Sequence, residues 1–434
     1  MLSRPPTKGK IIVFGILFWY PLAGVTYQFL HYLLGLRRLG YDPYYIEDSG
    51  RWIYDPQLND LSPDASGNIA AVVPTLEAHG FGQRWAFRGN YPDGKCYGMT
   101  EEQILQLYKD ADAFLNVTGA QELRDEHMAC PRRIYVETDP VAAQIKIAQG
   151  NPETIAALSA HQVHFSFGEN FGAPDCKVPL EHFHWIPTHQ PVVLDLWRNS
   201  CRVDGRPYTT IATWENKGKD ITYDGETYYW SKDREFMKII DLPRRRTARF
   251  ELAVGREDKV QQILRDNGWG WRDSVEVSRD LERYRNYILH SRGEFTVAKD
   301  QNIRLRSGWF SDRSACYLAA GRPVINQETG FSNCLPTGRG LFTFETMEDI
   351  LRAVDIIESD YEGNSRAARE IAEEHFAAEK VLGTWLHNRE GRRGGGKTSE
   401  IPWTSCRGSG SSPTRISITA GDCRCSSNEA SAAR

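Results

Sequence analysis

The stretch Ser307-Gly-Trp-Phe-Ser-Asp-Arg-Ser-Ala-Cys-Tyr-Leu-Ala-Ala-Gly-Arg-Pro-Val-Ile-Asn-Gln-Glu-Thr-Gly-Phe331 decides the fold class of this chain. Ser311 is a residue type favoured at a helix N-cap, and Gly321 is the type that commonly ends a helix. A short apolar strand then begins at Pro323 and ends in a second turn. This order of loop, helix, strand and turn predicts one unit of an α/β sheet.

Both loops of this stretch are expected at the carboxyl edge of a parallel sheet, where open α/β folds bind ligands. A helix N-terminus attracts anions, and an arginine can add a charge-assisted bond to a phosphate. We therefore predict a diphosphate site that includes Ser311, Arg313 and Ser314, and we expect Asp312 to point away from it. An ordinary helix cap with a surface ion pair is the alternative.

The same alternation of strands and helices continues in both directions from this stretch. It begins with the apolar strand Lys10–Phe18 and the helix Thr26–Leu39, and it is broken at Trp185–Trp197, which contains two prolines. We predict an α/β protein with two tandem Rossmann-like domains facing across a cleft. The predicted boundaries are 1–190 for the first domain, 191–206 for a linker, 207–364 for the second domain, 365–390 for a final helix and 391–434 for a disordered tail.

The composition narrows the class of protein. The 434 residues are 40% apolar and 25% charged with a net charge of −4, which excludes a global basic footprint for nucleic acid but leaves a local basic groove open. The nine cysteines include no C-x-x-C pair, which argues against a zinc ribbon or a disulfide framework and favours a reduced cytosol.

The apolar run Ile11–Val25 is interrupted by Pro21 and Gly24 and lacks a cleavage site, so a buried strand is expected instead of a signal peptide or membrane span. The predicted location is cytoplasmic, with no integral membrane segment and no nucleic-acid partner.

Two apparent motifs carry no predicted function. Gly391–Thr398 matches the letters of a phosphate-binding loop, but a phosphate loop needs a strand before it and a helix after it. Several histidines lie close together in sequence, yet no nearby Cys or Asp set completes a coordination sphere, so we predict packing roles and no metal site. These histidines are His161, His164, His182, His184 and His189.

The segment Leu318-Ala-Ala-Gly-Arg-Pro-Val324, followed by Gln327-Glu-Thr-Gly-Phe331, resembles the second domain of the GT-B class of nucleotide-sugar glycosyltransferases. The resemblance covers about residues 10–388. It implies that the donor nucleotide lies mainly on the second domain, the acceptor on the first, and that the last helix crosses back to the first domain. It also implies hexose transfer from a nucleoside diphosphate sugar, with a UDP-sugar preferred, to a small-molecule or glycan acceptor, without a metal or a cofactor.

The resemblance also suggests site residues. Tyr20 and Gly24, in the turn after the first strand, are expected on the acceptor side. Lys299 and Arg304 are further phosphate candidates. Donor and phosphate candidates beyond the helix N-terminus are Lys217, Lys219, Lys232, Glu328, Thr329, Gly330 and Phe331.

The sequence departs from the GT-B pattern in two places. Cys316 stands where many members have a glutamate that holds the ribose, and the first turn lacks the histidine that many inverting members use as a base. The base must then come from elsewhere on the first domain. The candidates are Glu137 and Asp139, at the end of one predicted strand, and Glu169, after another, and we select Asp139 and Glu169. A sugar-nucleotide epimerase on the same fold and a non-catalytic nucleotide-sugar-binding protein are the alternative functions.

Overall fold

The computed structural model of the chain describes residues 7–56, 60–89, 95–198, 201–216 and 218–387. The predicted tail, the phosphate-loop match Gly391–Thr398 and Lys217 lie outside these ranges.

The first half of the described chain forms an eight-stranded sheet flanked by helices. The strands are β1 (Lys10–Phe14), β2 (Asp42–Glu47), β3 (Ile53–Asp55), β4 (Asp60–Ser62), β5 (Trp85–Arg88), β6 (Cys96–Gly98), β7 (Ala113–Val117), β8 (Arg133–Glu137), β9 (Val163–Ser166) and β10 (Trp185–Pro187). The sheet order is β10-β9-β8-β7-β1-β2-β5-β6, while β3 and β4 form a separate hairpin. Only the β5–β6 pair of this sheet is antiparallel in the described residues. The helices are α1 (Ala23–Arg38), α2 (Ser66–Ala78), α3 (Glu101–Asp110), α4 (Ala142–Ala148) and α5 (Pro152–Ser159).

The second half forms a six-stranded parallel sheet. Its strands, with a separate hairpin of β12 and β13, are β11 (Tyr208–Ile211), β12 (Ile221–Tyr223), β13 (Glu226–Tyr228), β14 (Phe250–Val254), β15 (Gly270–Asp273), β16 (Gly293–Thr296), β17 (Val324–Gln327) and β18 (Leu341–Phe344). The sheet order is β15-β14-β11-β16-β17-β18. The helices are α6 (Asp233–Lys238), α7 (Asp258–Asp266), α8 (Ser274–Ser278), α9 (Leu281–Leu289), α10 (Asp300–Arg304), α11 (Asp312–Ala319), α12 (Met347–Ser359), α13 (Tyr361–Ile371) and α14 (Ala378–His387), with a π-helical turn at Ala372–Phe376.

The predicted fold class is confirmed, because two parallel sheets with crossover helices follow one another along the chain. The predicted helix from Ser311 is α11, with Ser311 as its N-cap. The break predicted at Trp185–Trp197 needs a correction, since its first residues pair with β9 as the edge strand β10. An edge position tolerates Pro187, which has no N–H for a further ladder. The domain boundaries stay predictions.

The end of the described chain packs on the first sheet's side of the molecule. The indole ring of Trp385, in α14, stacks on Phe165 of β9 with 4.9 Å between ring centroids, and its Nε1 donates to the Thr188 hydroxyl at 2.7 Å. Gly35 lets α1 approach α14 closely, since a Cβ there would lie 2.7 Å from Leu382 Cδ1 and 2.9 Å from Ala378 Cβ. The α1–α14 contact therefore depends on the missing side chain at Gly35.

Two segments connect the sheets, and they are hydrogen-bonded to each other. The Val192 N–H donates to the Phe376 carbonyl at 2.7 Å, and the Ala378 N–H donates to the Val192 carbonyl at 2.9 Å. Val192 and Ala377 thus form a parallel bridge between the segment after β10 and the segment before α14.

None of the helices in the described part of the chain is both long and apolar enough to cross a membrane.

We predict that Gly35→Ala destabilises the protein by about 1–3 kcal/mol, because the new methyl group overpacks the α1–α14 contact. Gly67→Ala is the matched control, since Gly67 is also helical and a Cβ there meets nothing within 4 Å. The control should be neutral or gain up to about 1 kcal/mol from helix propensity. Urea unfolding measures both, and equal effects of the two substitutions would contradict the close contact.

Candidate active site

A cleft lies where the carboxyl end of β11 and the N-terminus of α11 meet the N-terminus of α1. It comprises two cavities of about 470 and 280 Å³. Both are lined by Leu22, Ile211, Ser278, Ser311 and Arg313, so we treat them as one space and call it the central cleft. Leu22 is the N-cap residue of α1, and no acidic residue follows in the first turn of that helix. Two helix N-termini, one from each half of the chain, therefore border the central cleft.

Three lysines lie around the larger cavity. Lys219, Lys232 and Lys299 all line it, together with Arg313. The Lys299 Nζ contacts the Asp139 carboxylate and lies 3.3 Å from the ring centroid of Trp230. The Lys219 Nζ lies 5.1 Å from the same ring. This arrangement gathers four basic side chains around a partly enclosed space, which suits a polyanionic ligand.

Lys232 differs from the other two lysines because it is buried without an acidic partner. Lys232 is 8% exposed, and its Nζ makes no hydrogen bond or ion pair with the described residues. It lies 5.7 Å from the ring centroid of Trp309. Burial lowers the pKa of Lys232 well below its usual value, and the positive charges of Arg313 and Lys299 add to this effect. A bound anion would supply the charge partner that this ammonium lacks.

The Arg313 side chain, which extends from α11, is hydrogen-bonded to two strands of the second sheet. Its Nε donates to the buried Glu294 carboxylate at 2.5 Å, its Nη1 to the Ile211 carbonyl at 2.6 Å, and its Nη2 to the Thr296 hydroxyl at 3.1 Å. These bonds tie the start of α11 to β11 and β16. Arg313 therefore lines the central cleft, but its guanidinium is already hydrogen-bonded to other residues of the protein. Its contact with phosphate stays a prediction.

Ser311, Asp312 and Arg313 at the start of α11 line the central cleft, whereas Ser314 is not among the residues that line either cavity. The Ser311 hydroxyl accepts a bond from the Arg313 N–H at 3.3 Å, while the buried Ser314 hydroxyl has no partner in the described residues. Asp312 lines the smaller cavity and not the larger one, so the expectation that it points away from a diphosphate stays a prediction. Burial raises the pKa of Asp312 to about 7, so this carboxyl carries only part of its negative charge near neutral pH.

The predicted donor turn Glu328–Phe331 lies beside the cleft and supports it. The Glu328 carboxylate accepts bonds from the Gly330 N–H and the Thr343 hydroxyl. The Thr329 hydroxyl donates to the Trp309 carbonyl at 2.8 Å, and Phe331 is buried against Phe310. None of these turn residues is among those lining the two cavities. Their contact with a donor sugar stays a prediction.

The two candidate bases lie in different surroundings. Asp139, two residues after β8, contacts Lys299, and its Oδ1 is buried with no hydrogen-bond partner in the described residues. Glu169 is buried with its Oε1 2.7 Å from Nδ1 of His189. Burial raises the pKa of Glu169, although His189 opposes this shift. Of the two, only Asp139 contacts a side chain that lines the central cleft.

The acceptor-side candidates lie on the loop that joins β1 to α1. Gly24 lines the smaller cavity, and Tyr20 stacks between Trp19 and Tyr54 with centroid distances of 5.1 and 5.6 Å. Glu47, which the sequence did not single out as functional, holds this loop by accepting bonds from the Phe18 and Trp19 N–H groups at 2.6 and 3.0 Å. Burial raises the pKa of Glu47 to about 8. The only sequence signal for this role is its position at the carboxyl end of a buried strand.

Trp230 and Trp309 are further residues that sequence reasoning missed, although Trp309 lies inside the stretch that decides the fold. Both indole rings line the larger cavity, and the Trp309 Nε1 donates to the Thr138 carbonyl at 3.0 Å. This bond joins the loop before α11 to the loop that carries Asp139. Trp309 therefore holds the two sides of the cleft in register.

The described residues contain one cluster of carboxylates and an imidazole that could hold a metal ion, and it includes none of the five histidines named above. Asp48, Glu126 and His127 bring ligand atoms within 4.8 Å of one another. The Asp48 carboxylate already lies 2.6 Å from Arg124 and 2.8 Å from the Tyr108 hydroxyl, and Glu126 contacts both Arg88 and Arg124. These cations neutralise the cluster, so it fits an ion-pair network.

No protein-family model matches the chain, and no curated protein matches its sequence. Among solved structures it is similar to an alpha-glucosyltransferase in complex with UDP-glucose and DNA containing an abasic site, with a TM-score of 0.54, 11% identity, and coverage of 88% of this chain and 99% of that one. It is also similar to HepE of Anabaena in complex with UDP and glucose, with a TM-score of 0.50, 10% identity, and coverage of 88% and 100%. The chain therefore has the GT-B fold of nucleotide-sugar glycosyltransferases, as the sequence resemblance implies.

We predict that Arg313→Met lowers the free energy of unfolding by about 3–5 kcal/mol, because it leaves the buried Glu294 carboxylate without its charge partner. Arg313→Met combined with Glu294→Gln should recover at least half of this loss, since no buried charge then remains unpaired. Chemical denaturation of the two variants measures both values. A double variant as unstable as the single one would show that the ion pair does not account for the loss.

Proposed function

We propose that this protein is a glycosyltransferase that moves a hexose from a UDP-sugar to a small-molecule or glycan acceptor without requiring a metal ion. The buried amine of Lys232, which has no hydrogen-bond or ion-pair partner among the described residues, carries the proposal. A buried amine without an anionic partner is costly, and a diphosphate in the central cleft offsets that cost. The UDP in the similar structures supports the choice of nucleotide.

The donor is proposed to lie with its diphosphate between Lys232, Lys299 and the N-terminus of α11. The larger cavity, at about 470 Å³, falls in the range of small-molecule sites. The flanking rings of Trp230 and Trp309 keep water from the ammonium groups, which strengthens their attraction to phosphate. Cations fixed in place before the reaction stabilise the charge that develops on the leaving diphosphate.

The acceptor is proposed to enter from the side of the β1–α1 loop. Its hydroxyl oxygen forms a bond to the anomeric carbon, the bond from that carbon to the diphosphate oxygen breaks, and the hydroxyl proton passes to the Asp139 carboxylate. Asp139 is preferred to Glu169 as the base because it contacts Lys299 at the cleft, whereas Glu169 is paired with His189. A base must reach the acceptor proton directly or through one water. A cytoplasmic location, as the sequence predicts, would supply such a donor.

Lys232→Met should weaken UDP binding at least tenfold, because it removes the unpaired ammonium. Bound diphosphate raises the lowered pKa of Lys232, so binding takes up a proton between the pKa of the free protein and the higher pKa of the complex, and the affinity of the parent falls as pH rises across this interval. Isothermal titration above about pH 7.5, where the phosphate itself is fully ionised, separates this effect from titration of UDP.

Lys259→Met is the matched control, since Lys259 is an exposed lysine on α7. It should leave both the affinity and its pH dependence unchanged. UDP binding by Lys232→Met with the parent's affinity and pH dependence would remove Lys232 from the donor site.

Asp139→Asn should lower the rate of sugar transfer by about 10²–10⁴-fold, the usual contribution of a general base. It should not weaken UDP binding, because Lys299 loses a competing carboxylate. The measurement is the initial rate of UDP release from UDP-glucose with a panel of glycan and small-molecule acceptors, in the presence of a chelator.

Glu169→Gln is the control for this assay and should keep most of the parent's transfer rate. A normal rate for Asp139→Asn would contradict the assignment of the base. Conversion of the donor into an epimer without any acceptor would instead favour the epimerase alternative.

A further inference from the structure

The second sheet carries another cavity, on the opposite side of α8 from the central cleft. It has a volume of about 460 Å³ and is lined by four arginines, Arg206, Arg249, Arg272 and Arg283. We call it the arginine cavity. Glu276 and Val277 of α8 line the arginine cavity, whereas Ser274, Val275 and Ser278 of the same helix line the larger cavity of the central cleft. One turn of helix therefore separates two distinct spaces.

The charges in the arginine cavity are not balanced by the protein. Two carboxylates line it, Glu251 and Glu276, which leaves an excess of two positive charges over the four arginines. Glu251 lies 3.4 Å from Arg272. The guanidinium groups of Arg206 and Arg283 have no hydrogen-bond or ion-pair partner in the described residues. Like charges gathered in a concave space produce a positive potential there, and this potential attracts an anion.

The lining also provides neutral hydrogen-bonding groups. Asn286 and Tyr287 add an amide and a phenolic hydroxyl to the lining, whereas the Thr209 and Ser291 hydroxyls are hydrogen-bonded within the protein. Guanidinium groups bind phosphate oxygens through paired N–H donors, and hydroxyls and amides suit the polar part of a phosphate ester. The volume is that of a small-molecule site.

We propose that the arginine cavity is a second anion site that binds a phosphorylated small molecule, separate from the donor site in the central cleft. This proposal does not depend on the proposed glycosyltransferase activity. Arg206 and Arg283, whose guanidinium groups have no partner in the part of the chain that the structure describes, are the groups that would gain most from a bound phosphate.

The test is isothermal titration of the full chain with inorganic pyrophosphate. Arg206→Gln/Arg283→Gln removes two positive charges without breaking an ion pair in the described residues, so its melting temperature should match the parent's. It should lose one pyrophosphate site, or at least tenfold in affinity at that site. Lys232→Met should retain this site even if binding at the central cleft is lost.

Arg352→Gln/Arg366→Gln is the control with the same change in net charge, made at exposed positions on α12 and α13. It should keep the parent's stoichiometry and affinity. The proposal is overturned if Arg206→Gln/Arg283→Gln binds pyrophosphate like the parent, or if the control variant loses as much binding. A parent that binds one pyrophosphate, lost only in Arg206→Gln/Arg283→Gln, would support the arginine cavity and count against the proposed donor site.

Discussion

The buried ion pair between Arg313 and Glu294 is the interaction on which the candidate active site depends. Glu294 lies in β16 and is fully buried, and Arg313 also binds the carbonyl at the end of β11. One side chain thus fixes the N-terminus of α11 against two neighbouring strands. Lys299 follows β16 by three residues, so its position at the cleft is set by the same strand. A buried pair of this kind costs desolvation, and three hydrogen bonds to the guanidinium offset that cost.

The fold was largely predictable because its signals are local. Buried parallel strands appear as continuous apolar runs, and β1 begins at Lys10, where the first strand was predicted to begin. Ser311 and Gly321 mark the two ends of α11 by cap chemistry that acts within a few residues. The edge strand β10 escaped prediction because three residues that end in proline carry no periodic pattern.

The site was less predictable because its contacts join residues far apart in sequence. Lys299 was a weak candidate by residue type alone, and its contact with Asp139 spans 160 positions. Glu328 was expected to bind hydroxyls of a ligand, but its carboxylate is used by the N–H of its own turn and by Thr343. A sequence shows which groups can bind phosphate, but it does not show which of them the protein already uses for itself.

The bridge between Val192 and Ala377 has a mechanical consequence. The chain passes between the two sheets once after β10 and again before α14, and these passages are hydrogen-bonded side by side. Because the two passages are paired, one cannot slide along the other without breaking these hydrogen bonds. The hydrogen bond from Trp309 to the Thr138 carbonyl adds a further link at the cleft, so the two halves of the chain are joined away from the crossing as well.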